Sequence, residues 1–402
     1  MSKRVGLWLV GAHGGVSTTV AVGWAALKLK LTDDCGLVSQ LPQFAELGLI
    51  AWEDIVLGGH EIRDTDSRTE AFQLSGVTPA ISRELVIKCE SELAEFDKNV
   101  RPGVLYNVGE TIEKLSDPEF VAADLTARDA IDRIQADLVE FASNHDLEKV
   151  IVVNLASTEP SIDPASLPQT WAAMNATLTD AVCPLPASSL YAIAALEKGW
   201  PFVNFTPSLG SCPTAINELA ETMKTCHMGH DGKTGETFLK SVLAPAFANR
   251  NLDIMSWVGH NIFGNMDGRV LDDPINKQTK VTSKDKLLGQ ILGYNPQTHI
   301  SIEYIKSLGD WKTAWDHIHF RGFLGTPMIM TFTWQGCDSI LAAPLVLDLF
   351  RFTDLAEKNG ETGLLTFLAS FFKSPLGTGE NDFSAQFKML TDWVEAQKSV
   401  AT

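Results

Sequence analysis

The sequence has no CxxC pair among its six cysteines (Cys35, Cys89, Cys183, Cys212, Cys226 and Cys337), and their spacing is irregular. A secreted disulfide framework and a structural zinc site are therefore not expected, and the thiols should be reduced packing residues. No uninterrupted run of about 18 apolar residues exists, so no membrane-spanning helix is expected either. Positive charge is scarce: 32 Lys and Arg stand against 50 Asp and Glu, a net charge of -18. Nucleic acid and anionic membranes both need a basic footprint, and this balance argues against them. A small anion held by a local cluster stays possible. A Walker loop, a nucleophile elbow, internal repeats and low-complexity segments are all missing. After the charged Met1-Ser2-Lys3-Arg4 no separate apolar stretch with a cleavage signature follows, and the chain reads as cytoplasmic.

What is present is ordinary for a soluble globular chain: 402 residues, 45% apolar and 20% charged, enough for two or three domains. The apolar run Arg4 to Val10 ends at Gly11-Ala12-His13-Gly14-Gly15-Val16-Ser17-Thr18-Thr19, and VAVGWAALKLK then has helical spacing. Strand, glycine turn and helix is how a dinucleotide-binding unit opens. Glycines let the backbone approach a pyrophosphate, and the free N–H groups and dipole of the helix start favour the anion. The spacing is not a clean GxGxxG, and a glycine turn without a ligand is the competing reading. A second strand over Asp54 to Leu57 runs into Gly58-Gly59-His60-Glu61-Ile62. An acid there, Glu61, is expected on the ribose hydroxyls, which favours NAD over NADP. Glu61 lies farther from the glycines than the usual ~20 residues, so the segment from about 31 to 50 reads as an insertion.

The same grammar repeats downstream. Helices are expected near Glu84 to Phe96 and over Ala122 to Asn144, then a strand over Lys149 to Asn154 that ends in Leu155-Ala156-Ser157-Thr158-Glu159-Pro160. A helix from about Ser188 to Lys198, a strand Pro201 to Asn204 and a helix from Pro213 to Met223 follow. Strand and helix alternation predicts an α/β fold with a Rossmann-like doubly wound parallel sheet, whose ligands lie at the carboxyl ends of the strands. After about residue 237 the pattern becomes strand-like, in Asp253 to Val258, His299 to Ile305, Ala314 to Phe323 and Pro327 to Trp334. This predicts an inserted second α+β domain with a mostly antiparallel sheet. From Asp338 the chain turns helical, with later helices near Leu364 to Lys373 and Ser384 to Val394. The expected division is 1–236, 237–342, and 343–402 returning to the first domain.

The second domain carries a basic island. Lys277, Lys280, Lys284, Lys286, Lys306 and Lys312 face three acids within 36 residues. A solvated run of charge is one reading. Lys280 and Lys284, however, are four apart and share one face of a helical turn. Two such ammonium groups repel and lower each other's pKa, so the pair calls for an anion, of which a phosphate is the natural one, or for proton transfer. Lys312, beside Asp310, closes the pattern. His317 and His319 share a strand face that suits a metal, but no third ligand is in register; a polar strand face is the preferred reading and no metal is expected.

In this order the segments resemble the myo-inositol-1-phosphate synthase family over nearly the whole chain. The family's glycine-rich, Ser-Thr-ending nucleotide loop is matched by Gly11 to Thr19. Its Gly-Trp-Asp-Ile resembles Gly59-His60-Glu61-Ile62, its Thr-Ala-Asn-Thr-Glu resembles Leu155 to Glu159, and its Asn-Gly-Ser-Pro-Gln-Asn resembles Asn204 to Leu209. Asn-His-Leu-Gly-Asn-Asn-Asp-Gly is similar to Asn261 to Gly268, and Ser-Lys-x-x-Ser-Lys to Thr279 to Lys284. Gly-Asp-Ser-Lys matches Gly309 to Lys312, Glu-Asp-Ser-Leu-Leu-Ala-x-Pro resembles Cys337 to Pro344, and Leu-Lys-Ala-Pro-Leu resembles Phe372 to Leu376. Met266, Phe205 and Glu61 depart from the family's Asn, Gly and Asp, while all the lysines and Asp231, Asp267, Asp310 and Asp338 are kept.

The resemblance implies an NAD-dependent, redox-neutral isomerase that cyclises glucose 6-phosphate to myo-inositol 1(3)-phosphate, in inositol and phospholipid biosynthesis, and a homotetramer. Its implied catalytic residues are Lys280, Lys284, Lys312, Lys373 and Asp267. Its implied cofactor-binding residues are Gly11, Gly14, Gly15, Ser17, Glu61, Ala156, Asn204, Asp231, Asn265, Asp310, Asp338 and Ser339. Lys280 and Lys373 would serve the C5 oxygen and proton transfer, and Lys284 and Lys312 the phosphate and the oxyanion at C1. The competing readings are an NAD enzyme on a different sugar phosphate and a non-catalytic NAD-binding relative.

Overall fold

The computed structural model of the protein describes residues 4–77, 81–121, 126–265, 268 and 288–400. Six strands, β1 (Arg4–Val10), β2 (Ile55–Glu61), β3 (Val100–Pro102), β4 (Leu147–Asn154), β5 (Phe202–Asn204) and β6 (Cys226–Gly229), pair in parallel in the order β6-β5-β4-β1-β2-β3. β1 explains why an unbroken apolar run reads as a strand here. Val5, Leu7 and Leu9 face one apolar cluster with the helices Gly15–Lys28 and Asp338–Lys358, while Trp8 and Val10 face another with Ala127–His145 and Ala187–Glu197. A parallel sheet covered on both faces needs apolar residues at every position.

Beyond the helix Gly235–Asn249, four strands among the described residues build the second sheet: β7 (Asp253–Phe263), β8 (Gln297–Tyr304), β9 (Trp311–Arg321) and β10 (Pro327–Cys337), in the order β10-β9-β7-β8. β9 pairs antiparallel with both β7 and β10, whereas β7 and β8 are parallel. Alternation sorts its faces: Trp257, Asn261, Phe263, Ala314, Asp316 and Ile318 are buried. A late strand, β11 (Gly363–Leu364), then joins the first sheet beside β6. The chain's end thus packs on its beginning. Among the described residues no helix is long and apolar enough to cross a membrane.

The helix Asp338–Lys358 decides where the two sheets meet. Near its end, Asp354 and Glu357 pair with the buried Lys149 at the start of β4 (Lys149 Nζ to Asp354 Oδ1, 3.1 Å). Its far end therefore lies at the carboxyl edge of the parallel sheet, where β10 feeds directly into it. Both sheets deliver their ends to that edge.

Several elements differ from the sequence expectation. The expected helix Glu84 to Phe96 is two helices, Arg83–Lys88 and Glu90–Lys98, parted at Cys89. The expected helix near Leu364 to Lys373 is β11 followed by a 3-10 turn over Thr366–Phe371. Its backbone is claimed from outside, since Lys233 N–H donates to Phe371 O (2.8 Å) and Lys373 N–H to Asp231 O (2.6 Å). The expected divisions at 236/237 and 342/343 each fall inside a helix, Gly235–Asn249 and Asp338–Lys358.

Candidate active site

The glycine turn after β1 is shaped by backbone contacts. Gly11 has φ +80°, and a Cβ on it would lie 3.0 Å from the Cα of Ala156, at the end of β4. A Cβ on Gly59 would lie 2.3 Å from Leu9 O. Side chains are excluded at both crossings, so three strand ends converge. Gly14 caps the helix Gly15–Lys28, whose first turn closes with Thr18 N–H to Gly14 O at 2.8 Å. The N–H groups of residues 15 to 17 are left for a ligand at the helix start. Ser17 Oγ and Thr18 Oγ1 are fully buried and have no hydrogen-bond partner among the described residues. Orphan donors, a helix N-terminus and a turn without Cβ atoms fit a dinucleotide pyrophosphate.

Glu61 ends β2 and is buried. Its carboxylate accepts from His13 N–H (2.8 Å), Ile62 N–H (2.8 Å), Arg63 N–H (3.2 Å) and the Arg63 guanidinium (3.4 Å). His13 is held at its other groups too: its carbonyl accepts from Arg63 Nη2 (2.7 Å), and its Nε2 meets Asp97 Oδ1 (2.9 Å).

A buried polar network ties β4 to β5. Asn204 Oδ1 accepts from Asn154 Nδ2 (3.1 Å) and Thr206 Oγ1 (2.8 Å), and its Nδ2 donates to Ser208 O (2.7 Å). The next loop brings Asp231, with φ +61°, against Thr206 O (2.9 Å, from Asp231 N–H). Asp231 Oδ1 accepts from Lys373 Nζ at 2.8 Å. Phe205, where the family has glycine, packs its ring over Gly232, so closely that a Cβ there would lie 2.1 Å away, and against Phe372 at 6.4 Å. The departure is absorbed as packing beneath the Asp231 loop.

The second sheet brings the other charged pair. Lys312, on the same strand face as Asp316, lies 3.5 Å from Asp338 Oδ2 and 5.3 Å from the Phe263 ring. Asp310, also buried, accepts from Asn265 Nδ2 (2.8 Å), Cys337 Sγ (2.7 Å), Ser339 N–H (3.0 Å) and the Ser339 hydroxyl. Burial and the Asp310 carboxylate push the Cys337 thiol up to about 12, which keeps it a neutral donor. Lys312, Lys373, Asp231, Asn265, Asp310, Asp338 and Ser339 are thus placed in these contacts, whereas Lys280, Lys284 and Asp267 lie outside the described residues.

Two residues not singled out in the sequence belong to this edge. Asn261 is fully buried on β7, and both its amide atoms lack a hydrogen-bond partner among the described residues; its place in the motif with Gly264 and Asn265 was the available signal. Glu159 is buried beyond β4 and accepts from Ser188 N–H (2.8 Å) and the Ser188 hydroxyl. Ser188 sits in the first turn of the helix Ala187–Glu197, and its Oγ also accepts from Gly210 N–H (3.0 Å). Burial raises the Glu159 pKa from 4.5 to about 7, although the serine hydrogen bonds oppose the shift. Folding therefore takes up a proton at this group, and its contribution to stability is fully present below about 4.5 and lost as pH rises through about 7. Melting curves of the wild type and Glu159→Gln at several pH values check this. The variant should gain stability relative to the wild type as pH rises from 5 to 8, by roughly 2–3 kcal/mol.

The family model described as myo-inositol-1-phosphate synthase, an NAD-binding family, matches residues 5–395. The chain is 32% identical to inositol-3-phosphate synthase 1 of Bacteroides thetaiotaomicron, with 97% of this chain and 93% of that protein covered. It is 26% identical to inositol-3-phosphate synthase 1 of Rattus norvegicus over 93% of this chain and 74% of the relative. In fold it resembles the crystal structure of inositol-3-phosphate synthase from Caenorhabditis elegans, at 24% identity and a TM-score of 0.87, covering 98% of this chain and 86% of that one. A myo-inositol-1-phosphate synthase-related protein from Thermotoga maritima gives a TM-score of 0.77 at 22% identity, with 98% of each chain covered.

Proposed function

Because the chain belongs to the myo-inositol-1-phosphate synthase family, we propose that it converts glucose 6-phosphate to myo-inositol 1(3)-phosphate with no net redox change, the product entering inositol and phospholipid biosynthesis. The observation that carries this reading is the pair of lysines each held by an acid, Lys373 by Asp231 and Lys312 by Asp338, at the edge where the glycine turn also opens. NAD, when bound, would supply the acceptor for hydride from C5 and the source of hydride for that carbon once the ring has closed.

The chain's own residues do the rest. The helix start at Gly15 to Ser17 would hold the pyrophosphate, and the crossing of Gly11 with Ala156 would leave room for its close approach. Loss of hydride and of the hydroxyl proton leaves a ketone at C5; removal of a proton from C6 gives an enolate, and C6 then bonds to the C1 aldehyde carbon. Enolisation places negative charge on the C5 oxygen and ring closure places it on the C1 oxygen, which then takes up a proton; a fixed ammonium beside each oxygen stabilises that charge without reorganisation. Lys373 serves the C5 oxygen, and Lys312 the C1 oxyanion or the phosphate. For Lys280, Lys284 and Asp267 the assignments rest on the family resemblance: Lys280 for C5 proton transfer, Lys284 for phosphate. Asp310 positions Ser339 and Asn265, and the buried amide of Asn261 offers a further substrate contact.

The outer side of the second sheet leaves Trp315 and Ile329 exposed, with Phe323 and Leu324 exposed at the tip of its β9–β10 connection. We assign this surface to contact with further copies of the chain in a homotetramer. Light scattering should give four chain masses, and Phe323→Asp with Leu324→Asp should yield smaller species; an unchanged mass would remove this assignment.

The catalytic reading is tested with glucose 6-phosphate and NAD at a hundredth of its concentration. Full conversion to an inositol phosphate, followed by phosphorus NMR without build-up of reduced cofactor, is expected. Lys373→Met and Lys312→Met should each lower turnover about 10²-fold or more while NAD binding stays nearly intact. Build-up of reduced cofactor would indicate a simple dehydrogenase, and no reaction would indicate a different sugar phosphate or a binding protein.

A further inference from the structure

At the carboxyl end of β2 two groups that dinucleotide sites use for opposite purposes stand two residues apart. An acid there takes the ribose hydroxyls of NAD, and an arginine there accommodates the 2′-phosphate of NADP. Here the acid, Glu61, is turned inward. A carboxylate has about four acceptor positions, and those of Glu61 meet His13 N–H, Ile62 N–H, Arg63 N–H and the Arg63 guanidinium. The group left nearer the rim is Arg63, whose side chain is 23% exposed.

That arginine is not free. Its Nη1 donates to Glu70 Oε1 (3.2 Å) and its Nη2 to His13 O (2.7 Å). Glu70, in the first turn of the helix Ser67–Val77, also accepts from Thr65 Oγ1 (3.0 Å). Burial disfavours the charged guanidinium, yet Glu61 and Glu70 more than offset this and hold its pKa above the usual value. The arginine therefore meets the rim as part of a paired, neutralised group. A dianionic 2′-phosphate approaching it would have to displace Glu70, and a hydroxyl would not.

We propose that Glu70 is a specificity-determining residue: by holding Arg63 it keeps the nucleotide site selective for NAD over NADP. The proposal rests on the cofactor reading given above and deepens it. It also assigns Arg63 a positioning role, since Arg63 and Glu61 grip the carbonyl and the N–H of His13 inside the glycine turn.

The test is direct calorimetric titration of the purified protein with NAD and with NADP, which needs no turnover. In Glu70→Ala the guanidinium stays held through Nη2 by His13 O and Glu61 but its Nη1 loses its acid, and this unpaired side should lower the ratio of the NADP to the NAD dissociation constant by about tenfold or more. Adding Arg63→Ala to Glu70→Ala should abolish that gain and weaken NAD as well, because the turn loses its carbonyl clamp. If Glu70→Ala does not fold, Glu70→Gln, which removes the charge and keeps an acceptor for Arg63, should shift the ratio the same way by less. An unchanged ratio in the folded variant overturns the proposal, as does a gain that persists in the double variant, which would be a general charge effect. Failure of the wild type to bind NAD would instead overturn the cofactor reading.

Discussion

Three strand ends cross at the glycine turn with no side chain between them, and the site is built outward from that crossing. Gly59 passes so close to Leu9 that any Cβ would meet its carbonyl oxygen at 2.3 Å, and Gly11 sits against the Cα of Ala156. The crossing sets the direction in which the helix Gly15–Lys28 leaves β1, and so where its free N–H groups point. It also brings the ends of β1, β2 and β4 together at one edge, which the loops after β5 and β6 and the start of the helix Asp338–Lys358 then line. The clamp on His13 by Glu61, Arg63 and Asp97 holds the turn in the shape that the glycines permit.

The two sheets divide the work. The parallel sheet supplies backbone donors and a rigid polar network around Asn204, suited to holding a cofactor in place. The second sheet turns one face inward and brings Lys312 and Asn261 to the same edge. Each described lysine of the proposed machinery is fixed by an acid, which keeps its charge in place before any oxyanion forms. This reconciles a strongly acidic chain with an anionic substrate, since what matters is a few fixed cations within reach and not the net charge of -18.

How much of this was legible depended on the range of the interactions. β1, its turn and its helix could be read because an unbroken apolar run between turn residues leaves few alternatives. β7, β9 and β10 could be read from alternation, since one face is buried and the other is not. β3, β6 and β11 are two to four residues long and carry no periodicity. The segment after β11 is apolar enough to suggest a helix, but its backbone is hydrogen-bonded to the Asp231 loop about 140 residues away, and no local pattern encodes that. Glu159 reads as one polar residue in a loop; its carboxylate accepts from Ser188 and its N–H donates to Ser208 Oγ (3.0 Å), partners that only the fold brings near. The pairing of Asp231 with Lys373 was likewise invisible by spacing, and only the family resemblance put both residues among the candidates.

In the proposed reaction one carbon loses and regains the same hydride while the acid-held lysines stabilise the charge between. The most direct measurement follows deuterium from glucose 6-phosphate labelled at C5, turned over with substoichiometric NAD. The label should stay at the corresponding carbon of the inositol phosphate, with none in the free cofactor pool. Deuterium accumulating in released cofactor, or lost to solvent, would rule out this hydride return.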